Sequence, residues 1–361
     1  MNGSSRTGLL LRILIVSFLL FLFSGVSGAQ EQEKEPVERE ERPEATPTSQ
    51  EAIAAIKRRA QQILEERRKA RRFKASWEFS QLVGYESNPT NTGTPHEGDL
   101  YLEDSLYLTL SRRLTPALTW QGTYSGSYDY YAEYGDGSYT SQTLTPAKFI
   151  WRPGRMWRVD GGFDLNITYY PKSGPSNYRE FKPTIGIRQN PGKIWFHVIR
   201  YEWFIRDYIS KKARTGTGTE TETNREDTRH QLSYEVGTTW KKALMKVRQE
   251  WYFHDSNDAR QDSYDAQDYK VTASVNRPLT PKLSANASYS FERKNYKHRQ
   301  VSGITAEARY DDTQTWTIAG SYEFDKTWSL NPSFSYKFLN SNASTGEYDD
   351  ATVSVAFTAR F

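Results

Sequence analysis

Few arrangements of histidine, serine and acidic residues in this sequence could carry out a reaction. Only His254-Asp255-Ser256 brings together the residue types of a hydrolase triad. Adjacent residues of a strand point to opposite faces, so this tripeptide cannot form a triad by itself and is better explained as loop polarity. The other histidines are scattered, and they are His96, His197, His230 and His298. We therefore expect that the protein is not an enzyme.

Metal and cofactor sites are equally poorly supported by the sequence. The strict spacing and the glycine of a calcium loop are missing from Asp255, Asp258, Asp262 and Asp265, which we interpret as solvated loop acids. The chain contains no cysteine, which excludes disulfides, thiolate metal sites, cysteine nucleophiles and a lipid-modified cysteine anchor. We expect neither a metal nor a cofactor.

A different pattern places charged residues at every second position of otherwise apolar stretches. Between residues 156 and 170, Arg158, Asp160 and Asp164 alternate with an apolar set, and Lys246, Arg248 and Glu250 do the same between residues 245 and 254. In a membrane barrel such charges must face inward, because an arginine at the lipid midplane costs about 2–4 kcal/mol. The predicted pore-lining residues are Arg158, Asp160, Asp164, Glu235, Lys246, Arg248, Glu250, Glu292 and Lys337.

These inward charges have two interpretations. They could create a transverse field across a water-filled pore, so that passage depends on the size and dipole of the solute. Alternatively, they could pair with each other and close the lumen, as in small packed barrels. Residues 193–209 are ambiguous, because Arg200, Glu202 and Arg206 share a face with Phe196, Val198 and Phe204.

The strands that would carry these residues are separated by turns at a regular interval of about 40 residues, which corresponds to one hairpin each. Six short turns are predicted near 114–116, 153–155, 190–193, 241–243, 279–282 and 325–327. Seven longer polar loops alternate with them, at 87–98, 134–138, 171–177, 210–227, 256–264, 297–309 and 341–349. The pattern predicts an all-β fold, a closed antiparallel transmembrane barrel of about 14 strands, with 12 or 16 as alternatives. An even number places both barrel ends on the periplasmic side.

Tryptophan placement agrees with this orientation. Six of the ten tryptophans fall within about four residues of a predicted short turn, which indicates an aromatic girdle at one membrane interface. They are Trp120, Trp151, Trp157, Trp195, Trp240 and Trp328. A soluble sandwich with aromatic residues at its hairpin ends is the alternative.

The last strand carries a family resemblance. In residues 351–361, Val353, Val355, Phe357 and Phe361 share an apolar face, while mostly polar residues occupy the other. This strand, which ends on an aromatic residue, resembles those of bacterial outer-membrane β-barrel proteins. The resemblance implies that Phe361 is part of a signal read by the barrel-assembly machinery, and that the closing strand pairs with the strand beginning near Phe73.

The residues before the barrel form three segments. Basic residues, an apolar run and small residues predict a signal peptide at 1–29, and 30–47 is an acidic, proline-containing linker. Residues 48–72 are predicted to form a basic amphipathic periplasmic helix, and the barrel takes 73–361. This helix could be a solvated spacer, a docking element for a periplasmic partner, or a plug.

After residue 74 basic and acidic residues are equal in number, and nucleic-acid binding is not expected of an exported chain.

We predict location in the outer membrane of a Gram-negative-type bacterium, with lipid and lipopolysaccharide around the barrel. Two functions and a purely structural role remain open, the structural role being an anchor that uses the barrel only to hold the helix at the membrane. One function is a porin-like passive channel for small hydrophilic solutes. The other is a secretion or surface-assembly barrel for a polysaccharide or protein, since Gly84-Tyr85-Glu86-Ser87-Asn88-Pro89 is similar to barrel domains associated with exopolysaccharide export and lipoprotein display.

Overall fold

The computed structural model describes residues 56–62, 65, 73–89, 98–133, 137–172, 174–192, 194–259, 266–301, 307–343 and 347–361. Fourteen strands and one short 3-10 turn (Gly174–Ser176) make up the barrel. The strands are β1 (Lys74–Glu86), β2 (Asp99–Arg113), β3 (Leu118–Tyr131), β4 (Tyr139–Trp151), β5 (Trp157–Tyr169), β6 (Tyr178–Gln189), β7 (Trp195–Arg214), β8 (Glu220–Trp240), β9 (Ala243–Ser256), β10 (Ala266–Pro278), β11 (Leu283–Gln300), β12 (Ala308–Glu323), β13 (Trp328–Ser341) and β14 (Tyr348–Arg360).

Each strand pairs antiparallel with its sequence neighbours, and β1 pairs with β14 to close the barrel. The predicted 14-stranded antiparallel barrel is thus confirmed. At the seam, the backbone N–H of Phe361 donates to the carbonyl of Trp77 at 2.9 Å, and the N–H of Trp77 donates to the carbonyl of Phe361 at 3.0 Å. Their rings stack with centroids 4.0 Å apart. Closure leaves no free sheet edge, so the backbone hydrogen bonds are satisfied within the barrel.

Exposure alternates along the strands and defines the two faces of the wall. In β14, Val353, Val355 and Phe357 are exposed, whereas Ser354 and Thr358, each next to one of them in the strand, are buried. The register aligns Val353 and Val355 with other outward apolar residues of β13 and β1. Since side chains alternate along a strand, the apolar set forms the outer face and the polar set the inner face.

The six predicted short turns all join strands at one end of the barrel. In the β12–β13 turn, Asp325 Oδ1 accepts hydrogen bonds from the backbone N–H groups of Thr327 at 2.7 Å and Trp328 at 2.9 Å. These two bonds hold the pKa of Asp325 below its usual value, because they stabilise the carboxylate form. In the β8–β9 turn, Lys241 and Lys242 have φ angles of 45° and 69°.

Replacing Lys241 and Lys242 by Asn and Gly is expected to raise the free energy of unfolding by about 1 kcal/mol. Positive φ at both central residues is strained for lysine and is the conformation that Asn-Gly adopts readily. Urea unfolding of the purified barrel in phospholipid vesicles would measure the change. Lys326→Gly is the control, since Lys326 is not among the described residues with positive φ, and equal stabilisation by both variants would contradict the prediction.

The loop predicted at 210–227 is largely wrong. Strands β7 and β8 continue through most of it and leave only residues 215–219 between them. Likewise, β11 extends to Gln300 within the loop predicted at 297–309. These extensions lack the apolar alternation that marks a lipid-facing strand, and their ends are held by contacts that are distant in sequence. One such contact is the hydrogen bond from the Ala259 N–H to the Arg214 carbonyl, at 2.8 Å.

Ahead of the barrel, residues 56–62 and 65 are helical, which confirms a helix in this part of the chain. Its predicted ends near residues 48 and 72 lie outside the described residues, as do the predicted signal peptide and acidic linker. No helix in the described ranges is long and apolar enough to cross a membrane.

Candidate functional site: the inner face of the barrel

The inner face has two chemically different walls. Strands β10–β14 and β1–β3 contribute mainly hydroxyl and amide side chains at mid-height. Examples are Ser288 and Ser290 on β11, Thr317 on β12 and Ser335 on β13. Strands β4–β9 carry seven of the nine predicted pore-lining charges, while Glu292 and Lys337 lie on β11 and β13. We call these the hydroxyl wall and the charged wall.

The structure places all nine predicted pore-lining residues on inward positions, and several of them in ion pairs. Asp164 pairs with Lys182 at 2.8 Å and Glu250 with Arg248 at 2.9 Å. Glu292 pairs with Lys270 at 3.2 Å. Asp160 lies within 4 Å of three cations, and Lys337 Nζ lies 4.9 Å from the ring centroid of Tyr348. Glu235 and Lys246 line a cavity of ≈ 290 Å³ beside the β6–β7 and β8–β9 turns. That these residues line a conducting pore stays a prediction.

The described ion pairs of the inner face run along the barrel wall. Each joins residues of one strand, of adjacent strands, or of strands separated by a single strand. The charges therefore pair with each other, as one of the two interpretations proposed. These pairs do not join residues on opposite sides of the lumen. Such pairing offsets much of the cost of lining the barrel with charge while leaving the polar surface facing the lumen.

The direction of the side chains of residues 193–209, which the sequence left ambiguous, is clear in β7. Both charged and aromatic side chains of this strand face inward. Phe196 and Phe204 are buried on the same face as Arg200. The guanidinium of Arg188 lies 4.1 Å from the ring centroid of Phe196, and that of Arg229 lies 3.7 Å from that of Phe204. In each stack, a guanidinium group covers a phenylalanine ring inside the barrel, which is a cation–π arrangement.

The sequence left the direction of these phenylalanines open, because a phenylalanine in a barrel strand is expected to face lipid although both share a face with Arg200. Gly237, opposite Phe196 in β8, would place a Cβ atom against the phenylalanine ring, so glycine provides the room that the ring occupies.

At the end of the barrel that carries the longer loops, the inner face contradicts two interpretations of residues 254–258. His254 is buried within β9, not part of a polar loop, and its Nε2 lies 2.8 Å from Asp268 Oδ2. Ser256 Oγ donates to Asp227 at 2.6 Å, so the tripeptide 254–256 forms no triad with itself. Asp258 is fully buried instead of solvated, and accepts two hydrogen bonds from Arg214 at 2.9 and 3.0 Å. Its partner lies in the segment mistaken for a loop, so sequence could not pair them. Asp262 and Asp265 lie outside the described residues.

The six predicted girdle tryptophans all occupy outward positions beside the short turns. Trp151, Trp195, Trp240 and Trp328 are exposed, whereas Trp120 and Trp157 are half-buried. Trp77 and Phe361, which the girdle prediction omitted, lie at the same end and are also exposed. Their role at a membrane interface stays a prediction.

Two histidines also face outward, and each is paired with a tyrosine. His197 Nδ1 lies 2.8 Å from Tyr234 Oη, and His230 Nδ1 lies 2.7 Å from Tyr201 Oη. Each contact satisfies one ring nitrogen on an otherwise apolar surface. Within the described ranges, no three His, Asp or Glu side chains are grouped so as to hold a metal ion.

A family model described as "Surface lipoprotein assembly modifier" matches residues 238–361, about a third of the chain. The match runs from the end of β8 through β14 and so covers much of the hydroxyl wall and the closing strand. No curated protein matches the sequence.

Solved structures with a similar fold are outer-membrane barrels. Outer-membrane expressed OmpT of Vibrio cholerae is 11% identical with a TM-score of 0.47, over 81% of this chain and 98% of that one. The deltaS2 mutant of the TodX monoaromatic hydrocarbon channel is 9% identical with a TM-score of 0.45, over 79% and 90%. OpdQ of Pseudomonas aeruginosa is 10% identical with a TM-score of 0.41, over 80% and 99%. At such identities and scores, these structures say nothing about what the present barrel carries.

Proposed function

We propose that this protein is an outer-membrane barrel that assists the assembly of a lipoprotein on the cell surface. The match of residues 238–361 to a surface lipoprotein assembly modifier carries the proposal. The matched strands β9–β14 include the part of the barrel where small uncharged side chains face the lumen. A hydroxyl wall suits a passing polypeptide, because it offers hydrogen bonds without fixing one sign of charge.

The location that accompanies this function is the outer membrane, with the N-terminal helix in the periplasm. An outer face of exposed apolar side chains, including Ile318, Phe334 and Val355, supports insertion in lipid. Lipopolysaccharide then surrounds the barrel, and the barrel-assembly machinery inserts it through the C-terminal strand. The basic helix before the barrel is available to dock the incoming cargo or its periplasmic carrier.

Cells that lack the protein are expected to retain at least one lipoprotein in a protease-protected state. Intact cells would be treated with protease and the cleaved lipoproteins identified by mass spectrometry, with and without the full-length protein. An unchanged set of surface-cleaved lipoproteins would overturn the proposed function.

A matched pair of double variants tests whether the lumen is the route. Ser288→Trp with Ser335→Trp places two indoles on inward positions of the hydroxyl wall, and is expected to abolish rescue. Ala287→Trp with Phe334→Trp changes the preceding residue of each strand, which faces outward, and is expected to rescue fully. Equal rescue by both pairs would argue against passage through the barrel.

A passive channel for small hydrophilic solutes is the second candidate. The observation that favours it is the polar inner face, whose described ion pairs run along the wall and not across the lumen. Planar-bilayer conductance of the purified protein, with and without residues 30–73, would test this function. Current in the intact protein would support an open channel, and current only after deletion would support a plug. No current in either form would rule the channel out.

A further inference from the structure

Three basic side chains gather around one carboxylate on the charged wall, towards the turn end of β5, and a fourth, Arg188, occupies a neighbouring inward position. Lys148 Nζ, Arg158 Nε and Arg200 Nη2 lie 3.7, 3.5 and 3.7 Å from the Asp160 carboxylate. Arg188 is the direct cross-strand partner of Arg158 in the β5–β6 register. The cluster therefore draws on four consecutive strands, β4 to β7, which no local sequence pattern would connect.

The positive charge of this cluster exceeds what its acids neutralise. Asp160 is the single carboxylate within 4 Å of these cations among the described ion pairs, and Asp164 on the same strand is occupied by Lys182 at 2.8 Å. Glu202 on β7 and Glu235 beside the cavity face the same region without a described ion pair to the cluster. Even with both counted, the basic residues outnumber the acidic ones. Like charges on directly opposed strand positions repel, so the cluster would be stabilised by an added anion.

Two arginines of the cluster leave hydrogen-bonding groups unused, whereas Arg188 Nε donates to Asn190 Oδ1 at 3.0 Å. The Nε atoms of Arg158 and Arg200 are buried and have no hydrogen-bond acceptor, and Asp160 Oδ2 receives no hydrogen bond. The three cation-to-carboxylate distances are longer than those of charge-assisted hydrogen bonds, which are about 2.7–2.9 Å. The guanidinium groups thus lie near Asp160 without being committed to it, and retain donors for another oxygen ligand.

A glycine on β6 gives the side chains of Asp160 and Arg200 the room to approach each other. Gly186 is the inward residue of β6 between Asp160 and Arg200, and an added Cβ would lie 3.3 Å from Arg200 Nε and 3.4 Å from Asp160 Oδ2. On the neighbouring side, Arg188 lines the cavity of ≈ 290 Å³. Arg188 is the member of the cluster that lines this cavity, so the space for a small hydrated ligand adjoins the Arg188 side of the cluster.

We propose that Lys148, Arg158, Arg188 and Arg200 form a binding site for a phosphate-type oxyanion that enters from the lumen. Arginine presents paired N–H donors that match two oxygens of a phosphate, and lysine adds a point charge. Asp160 holds the cations in place when the anion is absent. Because the site faces the lumen, its ligand is a water-soluble phosphate or phosphate ester, and not the headgroup of a bilayer lipid. The site does not depend on what the barrel exports.

Phosphate binding to the purified full-length barrel in detergent tests the proposal. By isothermal titration calorimetry with inorganic phosphate, Arg158→Gln with Arg200→Gln is expected to weaken binding at least tenfold. Arg206→Gln is the matched control, because Arg206 is an inward arginine of β7 in a one-to-one pair with Glu180 at 2.9 Å, and should leave the affinity unchanged. Failure of the wild-type protein to bind phosphate, or equal losses in both variants, would overturn the site.

A second variant, with the opposite expected effect on phosphate affinity, distinguishes loss of the binding site from misfolding. Asp160→Asn removes the competing carboxylate and is expected to tighten phosphate binding, whereas Lys148→Gln is expected to weaken it. Heat-dependent mobility on gels verifies that each variant is folded. Mixed micelles that contain phosphatidic acid form a further arm, and binding to these alone, without binding of inorganic phosphate, would assign the anion to lipid and overturn a lumenal site. None of these readouts requires lipoprotein export.

Discussion

Deleting Phe361 is expected to lower the equilibrium constant for folding of the barrel at least tenfold. The deletion removes both backbone hydrogen bonds between Phe361 and Trp77 and the ring stack between them, at 4.0 Å. Backbone hydrogen bonds contribute about 0.5–1.5 kcal/mol each and an aromatic pair about 0.5–1.5 kcal/mol, so the loss amounts to about 2–4 kcal/mol. Refolding of the purified chain into phospholipid vesicles would measure it.

The control for this deletion is Phe324→Ala. Phe324 is an exposed aromatic residue in the β12–β13 turn, with its ring 5.2 Å from that of Tyr322 and 6.5 Å from that of Phe357 on β14. It makes none of the described backbone hydrogen bonds between β1 and β14. We expect its loss to change folding much less. If both variants refold like the wild type, but deletion of Phe361 alone depletes the barrel in cells, then the residue acts through the assembly machinery and not through the seam.

Replacing Phe334 by arginine is expected to destabilise the barrel by about 2–4 kcal/mol, whereas replacing Ser335 by arginine is expected to cost little. Phe334 is exposed near the middle of β13 and shares the outer face with Ile318 and Val353. An arginine at that position would lie near the lipid midplane, where charge is most costly. Ser335 faces the lumen opposite Thr317 and Thr352, where an arginine side chain can reach water.

Urea titrations of the two arginine variants, refolded in the same vesicles, compare adjacent residues of one strand. The wild-type protein and Phe334→Leu provide the references, the second because it removes the ring without adding charge. Equal stability of the two arginine variants would contradict the assignment of an outer lipid face. A larger loss for Ser335→Arg would mean that the inner face is tightly packed at this height.

The amphipathic pattern of individual strands could be predicted because it depends only on neighbouring residues. Alternation in β5 and β14 identified the outer and inner faces correctly, and four of the six short turns contain proline, two of them with glycine as well. The full lengths of strands β7 and β8 were not predicted, because the ends of these strands at the loop between them carry polar residues on both faces. A strand without an apolar face cannot be distinguished from a loop by its sequence.

The sequence by itself indicated about 14 strands and their sidedness, because both follow from a period of two and from regularly spaced turns. The closing role of the last strand came from its resemblance to those of outer-membrane β-barrel proteins. Only the tertiary structure decided which charges meet. Lys148, Arg158, Arg188 and Arg200 come from four strands, and Asp258 reaches Arg214 from a different hairpin. Such encounters depend on the register between strands and on the curvature of the closed wall. A charge pattern along one strand cannot specify what it faces on the others.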